Sequence, residues 1–211
     1  MLERFRAFWT NVFKPVADLL LRMGVSPDAV TLVGTIGVSA GALVFFPTGH
    51  LLIGVLVITA FVFSDLIDGY MARSSGRVST FGAFFDSTLD RIGDGAIFGG
   101  LLLYYAGPGD SRLYVTVCLY CLVMGSVTSY ARAKAESLGM TAKGGIAERS
   151  DRLVAILVMT GLNGLLGLEI LTYVTLWALA AASTITVFQR ILMVRRQALA
   201  AAVDDGTAPP R

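Results

Sequence analysis

The sequence predicts an all-α membrane protein with six transmembrane helices, preceded by an N-terminal amphipathic interfacial helix. Of its 211 residues, 55% are hydrophobic and only 15% are charged, whereas soluble domains are about 45–50% apolar and about 25% charged. A transmembrane helix needs about 20 mostly apolar residues. Six such stretches, which leave room for a single domain over residues 1–211, occur near residues 29–46, 51–64, 83–106, 113–131, 153–168 and 170–193.

Residues 1–24 are predicted to form the interfacial helix. Aromatic and aliphatic residues recur on one helical face and basic residues on the other, a pattern typical of helices that lie along the membrane surface. The apolar face carries Phe5, Phe8, Trp9, Phe13 and Val16. At the other end of the chain, residues 198–211 are predicted to form a disordered tail.

Two of the apolar stretches need further argument. The stretch at 51–64 is short for a span, but it continues into DLIDGYMAR, which we expect to be helical as well. The stretches at 153–168 and 170–193 are separated only by the region NGLLGLE, so their boundary is the least defined. The longest cytoplasmic loop, around the Gly-rich segment ESLGMTAKGGIAERSD, is expected to be mobile.

The basic residues predict the orientation in the membrane. If the N-terminus is cytoplasmic and six helices cross the bilayer, 16 of the 17 Lys and Arg residues fall on the cytoplasmic side, and only Arg112 falls opposite. Cytoplasmic loops carry such an excess of Lys and Arg. The pattern therefore favours six spans, a cell-membrane location and cytoplasmic N- and C-termini.

Four aspartates are the most informative residues. Asp65 and Asp68 are three residues apart at the end of the second stretch, and Asp86 and Asp90 are four apart at the start of the third. On helices, each pair shares one face. A helical hairpin would bring the four carboxylates together, and acidic residues at membrane depth mark functional sites.

The donor atoms at this site indicate a metal centre. All-oxygen ligands suit hard cations such as Mg²⁺ or Mn²⁺ better than zinc, which prefers His and Cys. Two ions about 3.5–4 Å apart would clamp a diphosphate. Gly69 and Gly82 leave room beside the carboxylates, and Arg73 is placed to bind a phosphate. Asp94, one turn after Asp90, is interpreted as an ion-pair partner or outer neighbour rather than a ligand.

The segment from Asp65 to Asp90 follows the spacing D-x-x-D-G-x-x-A-R, then eight residues, then G-x-x-x-D-x-x-x-D. This spacing resembles the complete signature of the CDP-alcohol phosphatidyltransferase family. The resemblance implies two divalent ions, Mg²⁺ or alternatively Mn²⁺, bound by Asp65, Asp68, Asp86 and Asp90, with Asp90 also the general base. It implies that a CDP-activated lipid is bound by Asp28, Ala29, Val30, Thr31, Gly69, Arg73 and Ser79, with Asp28 standing where the family often has Asn.

The acceptor alcohol is less directly indicated. The segments SPDAVTLVGT, FPTGHL, DSTLDRIGDGAIFGG and IAERSDRL are similar to the actinobacterial branch of that family, which joins CDP-diacylglycerol to inositol phosphate. An acceptor with its own phosphate needs basic residues, and we assign this role to Lys134, Arg152 and Arg190. The same residues would also serve simply as positive-inside anchors.

Several alternatives remain open from the sequence. Glycerol 3-phosphate also carries a phosphate, so a phosphatidylglycerophosphate synthase is the nearest alternative. A divalent-cation transporter is a second, although its acids would be expected across the membrane rather than at one face, and a purely structural membrane protein is a third. A homodimer is implied by the family resemblance, and no nucleic-acid partner is expected.

Overall fold

A computed structural model of the chain describes residues 2–76 and 79–204, with side chains described for residues 12–76 and 79–201. All regular structure in these ranges is helical, which confirms the predicted class. The helices are α1 (Leu2–Arg22), α2 (Pro27–Ala40) with a π-helical turn (Gly41–Phe45), α3 (Leu51–Val62), α4 (Ser64–Ser74), α5 (Thr80–Ala106), α6 (Arg112–Ser137), α7 (Arg149–Leu166) and α8 (Glu169–Asp204). They form two compact units, Met1–Asp110 and Ser111–Arg211.

The helix starts follow local sequence signals. The Ser26 hydroxyl accepts a hydrogen bond from the Ala29 N–H at 3.2 Å, and Pro27 occupies the first turn of α2. Ser79 caps α5 in the same way by accepting from the Gly82 N–H at 2.9 Å. Side-chain caps of this kind satisfy backbone donors that have no partner within the helix.

Four helical segments of the described chain are long and apolar enough to cross a membrane. They are Pro27–Phe45, Leu51–Ser74, Arg112–Ser137 and Glu169–Ala201. The second confirms that the short stretch at 51–64 continues as helix through DLIDGYMAR, with only a slight break at Phe63. The chain is therefore a multi-pass membrane protein.

The other two predicted spans coincide with α5 and α7, which do not meet this criterion. Their N-terminal turns carry several charged side chains, including Asp86 and Asp90 in α5 and Arg149 and Arg152 in α7. Charged groups are costly in hydrocarbon, so the apolar part of each helix is shorter than the helix itself. The count of six spans stays a prediction.

In unit 1, glycines allow the helices to approach closely. A Cβ on Gly100 of α5 would lie 2.5 Å from the Ala42 carbonyl oxygen, and one on Gly34 of α2 would lie 2.9 Å from Ser64 Cβ in α4. Small residues at helix interfaces permit such backbone contacts in membranes. Helix α1 packs on α4, where the Tyr70 hydroxyl donates to Asp18 at 3.2 Å.

Unit 2 consists of α6, α7 and α8 with one long connection, residues 138–148, which we call the α6–α7 loop. Side chains of α8 bind this loop at three separate points, and its expected mobility stays a prediction. Helix α8 continues through Asp204, so residues 198–204 are helical and the predicted tail begins too early. Residues 205–211 lie outside the described part of the chain.

Gly100→Ala is expected to destabilise the protein, since the new methyl group would overlap the Ala42 carbonyl. Overpacking of this kind costs about 1–3 kcal/mol. Gly99→Ala is the matched control, because nothing lies within 4 Å of a Cβ at that position and alanine favours helix by about 1 kcal/mol. Thermal unfolding in detergent measures both, and equal melting temperatures would contradict the assigned contact.

Candidate active site

Helices α4 and α5 carry the four predicted metal ligands, Asp65, Asp68, Asp86 and Asp90, all within unit 1. Asp68 is buried, with 8% of its surface exposed. The carboxylates of Asp86 and Asp90 act electrostatically on it, so at least these three acids lie near one another. Asp65 and Asp86 are exposed. The predicted hairpin therefore brings the second acidic pair to Asp68.

The buried Asp68 carboxylate has a specific partner on a third helix. The Thr31 hydroxyl of α2 donates a hydrogen bond of 2.6 Å to Asp68 Oδ2, and Thr31 is itself buried. A hydrogen bond to an ionised group is stronger than one between neutral groups. Thr31 is predicted from the sequence as a CDP-lipid contact, and the sequence carries no local signal for its pairing with Asp68.

The described side chains do not form a complete metal-binding group as they stand. Among residues 12–76 and 79–201, no three or more His, Cys, Asp or Glu side chains are gathered at the spacing a metal ion requires. Like charges repel each other, so the helix scaffold alone brings the carboxylates near one another without bringing them to ligand spacing. The individual ligand assignments stay predictions.

The chemistry of the site nevertheless fits a divalent cation. The four predicted ligands are all carboxylates, and the buried Asp68 interacts electrostatically with two of them, Asp86 and Asp90. Buried negative charge requires compensation by a cation or by hydrogen bonds. A hard ion that prefers oxygen ligands, such as Mg²⁺ or Mn²⁺, provides it.

Gly69 and Arg73 interact as their spacing suggests. Arg73 Nη1 lies 3.4 Å from the position of a Cβ on Gly69, so the guanidinium folds back along α4 and over this glycine. Arg73 is exposed, and no carboxylate of the described residues pairs with it. Its donors are therefore available to an anionic ligand.

Gly82 brings the N-terminal turns of α2 and α5 together. A Cβ at this position would lie 3.1 Å from Ser79 Oγ and 3.5 Å from Asp28 Oδ1. Two predicted CDP-lipid contacts, Asp28 and Ser79, thus meet at this glycine. Helix N-termini carry partial positive charge and favour anions. Ala29 and Val30 lie in the same first turn of α2.

Arg91 lies between Asp90 and the next acid along α5. Its Nη2 is 3.5 Å from Asp90 Oδ2 and 3.7 Å from Asp94 Oδ2. The interpretation of Asp94 as an ion-pair partner is confirmed. Arg91, a residue that sequence analysis did not single out, therefore screens the charge on the predicted general base.

The three predicted acceptor residues lie in unit 2 and differ in their surroundings. Lys134 is exposed in the last turn of α6. Arg152 is only 3% exposed, its Nη1 donates to the Ala147 carbonyl at 3.4 Å, and it packs against the backbone of Gly125. Arg190 is 4% exposed and also donates to backbone carbonyls. Two of the three predicted acceptor residues are therefore buried, and their role stays a prediction.

A family model for CDP-alcohol phosphatidyltransferases matches residues 24–188. The chain belongs to the CDP-alcohol phosphatidyltransferase family. Members of this family act on CDP-activated alcohols, and the matched region contains every residue of the acidic signature and two of the three predicted acceptor residues, Lys134 and Arg152, whereas Arg190 lies two residues beyond it. The resemblance derived from the signature spacing is confirmed.

Similar phosphatidyltransferases carry a more specific name. A phosphatidylinositol phosphate synthase of Streptomyces avermitilis is 51% identical over 99% of this chain and 87% of the relative. A phosphatidylinositol phosphate synthase of Cutibacterium acnes is 50% identical over 93% of this chain and 98% of the relative.

The crystal structure of the Mycobacterium tuberculosis phosphatidylinositol phosphate synthase with CDP-DAG bound matches with a TM-score of 0.84 at 42% identity, over 87% of this chain and 94% of that one. The same protein in complex with manganese and citrate gives a TM-score of 0.82 at 43% identity, over 85% of this chain and 87% of that one.

Thr31→Val is expected to lower the free energy of unfolding by about 1–3 kcal/mol, because the buried Asp68 carboxylate loses its hydroxyl donor. Thr31→Ser keeps the hydroxyl and is expected to retain most of the stability. Thermal unfolding in the presence of a chelator provides the measurement. The loss from Thr31→Val should also shrink when Asp68→Asn is already present, and two additive losses would show that the pair is not coupled.

Proposed function

We propose that the protein is a phosphatidylinositol phosphate synthase, which transfers the phosphatidyl group from CDP-diacylglycerol to inositol phosphate and releases CMP. The observation that carries this proposal is the acidic signature on α4 and α5, with Asp68 facing Asp86 and Asp90. The acceptor follows from relatives of that name that are 51% and 50% identical over nearly the whole chain.

The proposed cofactor is a pair of Mg²⁺ ions, with Mn²⁺ as the alternative, held by Asp65, Asp68, Asp86 and Asp90. When bound, such ions neutralise the carboxylates and stabilise negative charge on a diphosphate. The manganese in the complex of the M. tuberculosis relative supports a divalent cation. The Thr31 hydroxyl holds Asp68 in one orientation within this set.

The CDP group is proposed to lie at the meeting point of the α2 and α5 N-termini. The backbone N–H groups of their first turns, near Asp28 and Ser79, provide donors for the diphosphate. The exposed guanidinium of Arg73 provides a charged donor beside Gly69. The remaining proposed contacts of the CDP-lipid are Ala29, Val30 and Thr31, while its acyl chains stay in the bilayer.

The proposed reaction is a single displacement at the β-phosphorus. Asp90 accepts the proton of an inositol hydroxyl, the hydroxyl oxygen forms the new bond to phosphorus, and the bond from that phosphorus to the oxygen of CMP breaks. Arg73 stabilises the charge that develops on the diphosphate. Arg91, whose Nη2 lies 3.5 Å from Asp90 Oδ2, places a positive charge beside this carboxylate.

Arg152 and Arg190, together with the exposed Lys134, are proposed to bind the phosphate of the acceptor. The support comes from burial. Arg190 is 4% exposed, and its hydrogen-bond partners among the described residues are neutral backbone carbonyls. Glu136 and Glu148 act on it electrostatically, and a phosphate would add an anion bonded directly to the buried cation.

The proposed membrane arrangement has six spans, with α5 and α7 crossing in addition to the four apolar segments. Helix α1 lies in the interface as an amphipathic helix, and both termini are in the cytoplasm of a cell-membrane protein. The distribution of Lys and Arg supports this orientation. A homodimer is proposed from the family resemblance.

The direct test is an acceptor competition. Purified protein is given CDP-diacylglycerol, Mg²⁺ and either labelled inositol phosphate or labelled glycerol 3-phosphate, and lipid-soluble label and CMP are measured. Transfer to inositol phosphate with one CMP released per lipid formed is expected. Transfer to glycerol 3-phosphate alone would assign the protein to the phosphatidylglycerophosphate synthases instead.

Asp90→Asn is expected to reduce kcat by at least about a hundredfold, because the amide cannot accept the proton of the attacking hydroxyl. Binding of CDP-diacylglycerol, measured separately, should change little. Asp94→Asn is the matched control one turn along α5, since it removes only an ion pair with Arg91. Equal kcat values for the two variants would rule out Asp90 as the base.

A further inference from the structure

The α6–α7 loop runs along one face of α8 and is bound to it at three points. Thr186, Arg190 and Gln197 bind Ala147, Gly144 and Thr141 respectively. Arg190 and Gln197 lie four and eleven residues after Thr186. Both steps return to nearly the same side of a helix with 3.6 residues per turn, so the three side chains share one face of α8. The loop contacts follow in reverse order at steps of three, so the loop lies antiparallel to α8 over about 16 Å, given 1.5 Å per helical residue.

Gln197 binds both backbone groups of Thr141. Its Oε1 accepts from the Thr141 N–H at 2.9 Å, and its Nε2 donates to the Thr141 carbonyl at 2.6 Å. An amide side chain has one acceptor and a donor group side by side, so it pairs with a peptide unit as a neighbouring strand would. Residues in a loop have no such partner from secondary structure.

The other end of the loop is held by Thr186. Its Oγ1 accepts from the Ala147 N–H at 3.2 Å. Gly145 has a φ of +133°, and a Cβ there would collide with the Thr186 side chain. Only glycine combines this backbone conformation with so close an approach. Ala142 and Ala147, on either side, are buried.

Between these two attachments, the loop orients Arg190. The Gly144 carbonyl accepts from both Nε and Nη2 of Arg190 at 3.2 Å, and the Thr128 carbonyl of α6 accepts from Nη1. A guanidinium has five N–H groups, so one N–H on each terminal nitrogen is not used by these bonds. Their direction is set by the position of the Gly144 carbonyl.

We infer that Gln197 is a positioning residue for acceptor binding: by holding the α6–α7 loop on α8 it fixes the Gly144 carbonyl and thereby aims the guanidinium of Arg190 at the acceptor phosphate. A guanidinium that is already held in its binding orientation loses less conformational entropy when the ligand binds. Gln197 does not touch the acceptor. The inference rests on the proposed function, in which Arg190 binds that phosphate.

The test combines kinetics with amide hydrogen exchange on the full-length protein in detergent. Gln197→Met keeps the length of the side chain but removes its two hydrogen bonds to the Thr141 backbone, together with the longer one from the Thr141 hydroxyl. Its matched control is Leu199→Met, which places the same residue at an exposed position two residues further along α8. Arg190→Gln serves as the reference for loss of the phosphate contact itself.

For Gln197→Met, the KM for inositol phosphate is expected to rise about tenfold, as two lost hydrogen bonds of typical strength allow. Exchange of the amides in residues 139–148 should accelerate by a similar factor. The KM for CDP-diacylglycerol and the kcat should stay as in Leu199→Met, and the melting temperature should fall by only a few degrees. A general structural defect would instead raise both KM values and lower the kcat, and that result would overturn the inference.

Unchanged amide exchange in the loop of Gln197→Met would also overturn the inference. So would faster exchange in Gln197→Met with an unchanged acceptor KM, provided that Arg190→Gln does raise the acceptor KM. An unchanged acceptor KM in Arg190→Gln would mean instead that the proposed phosphate site is wrong. Thr186→Val provides a second route should Gln197→Met fail to fold. It removes the bond to Ala147 and is expected to raise the acceptor KM, whereas Thr186→Ser keeps the hydroxyl and should restore it.

Discussion

The buried carboxylate of Asp68 imposes the constraint on which the rest of unit 1 depends. A negative charge removed from water must be compensated by hydrogen bonds or by a cation, and Asp86 and Asp90 add like charge nearby. The Thr31 hydroxyl supplies one strong hydrogen bond from α2. The three helices α2, α4 and α5 therefore have to meet at this point. A divalent cation bound there would attract all of the carboxylates and so offset the repulsion between them.

Glycines make this meeting of helices possible. Gly34 and Gly100 remove side chains where α2 and its π-helical turn contact α4 and α5, so that Thr31 comes within hydrogen-bonding distance of Asp68. In a bilayer, apolar surface alone does not drive helices together, and close packing of small residues contributes much of the association. The two signature glycines, Gly69 and Gly82, extend the same principle to the surface where the nucleotide is proposed to bind.

The two units use different physical means to favour phosphate groups. Unit 1 presents helix N-termini and an exposed arginine near a cluster of acids, an arrangement that suits a diphosphate accompanied by cations. Unit 2 presents arginines that are buried and held by backbone carbonyls. These carbonyls hold each guanidinium in one orientation. Such a site suits a ligand that brings its own charge.

Much of the architecture was predictable because it depends on local periodicity. Helical class, the continuation of the second apolar stretch to Ser74 and the placement of each acidic pair on a helix all follow from residue spacing over a few turns. The acidic signature was equally readable, since its residues lie within 26 positions on two consecutive helices.

The contacts between distant segments of the chain were decided only by the tertiary structure. Thr31 and Asp68 are 37 residues apart, and Thr141 and Gln197 are 56 apart. Hydroxyl and amide groups can pair with any donor or acceptor that packing brings near, so no local pattern identifies their partners. For the same reason glycine content alone suggested a mobile α6–α7 loop and gave no sign of the polar side chains of α8 that bind it.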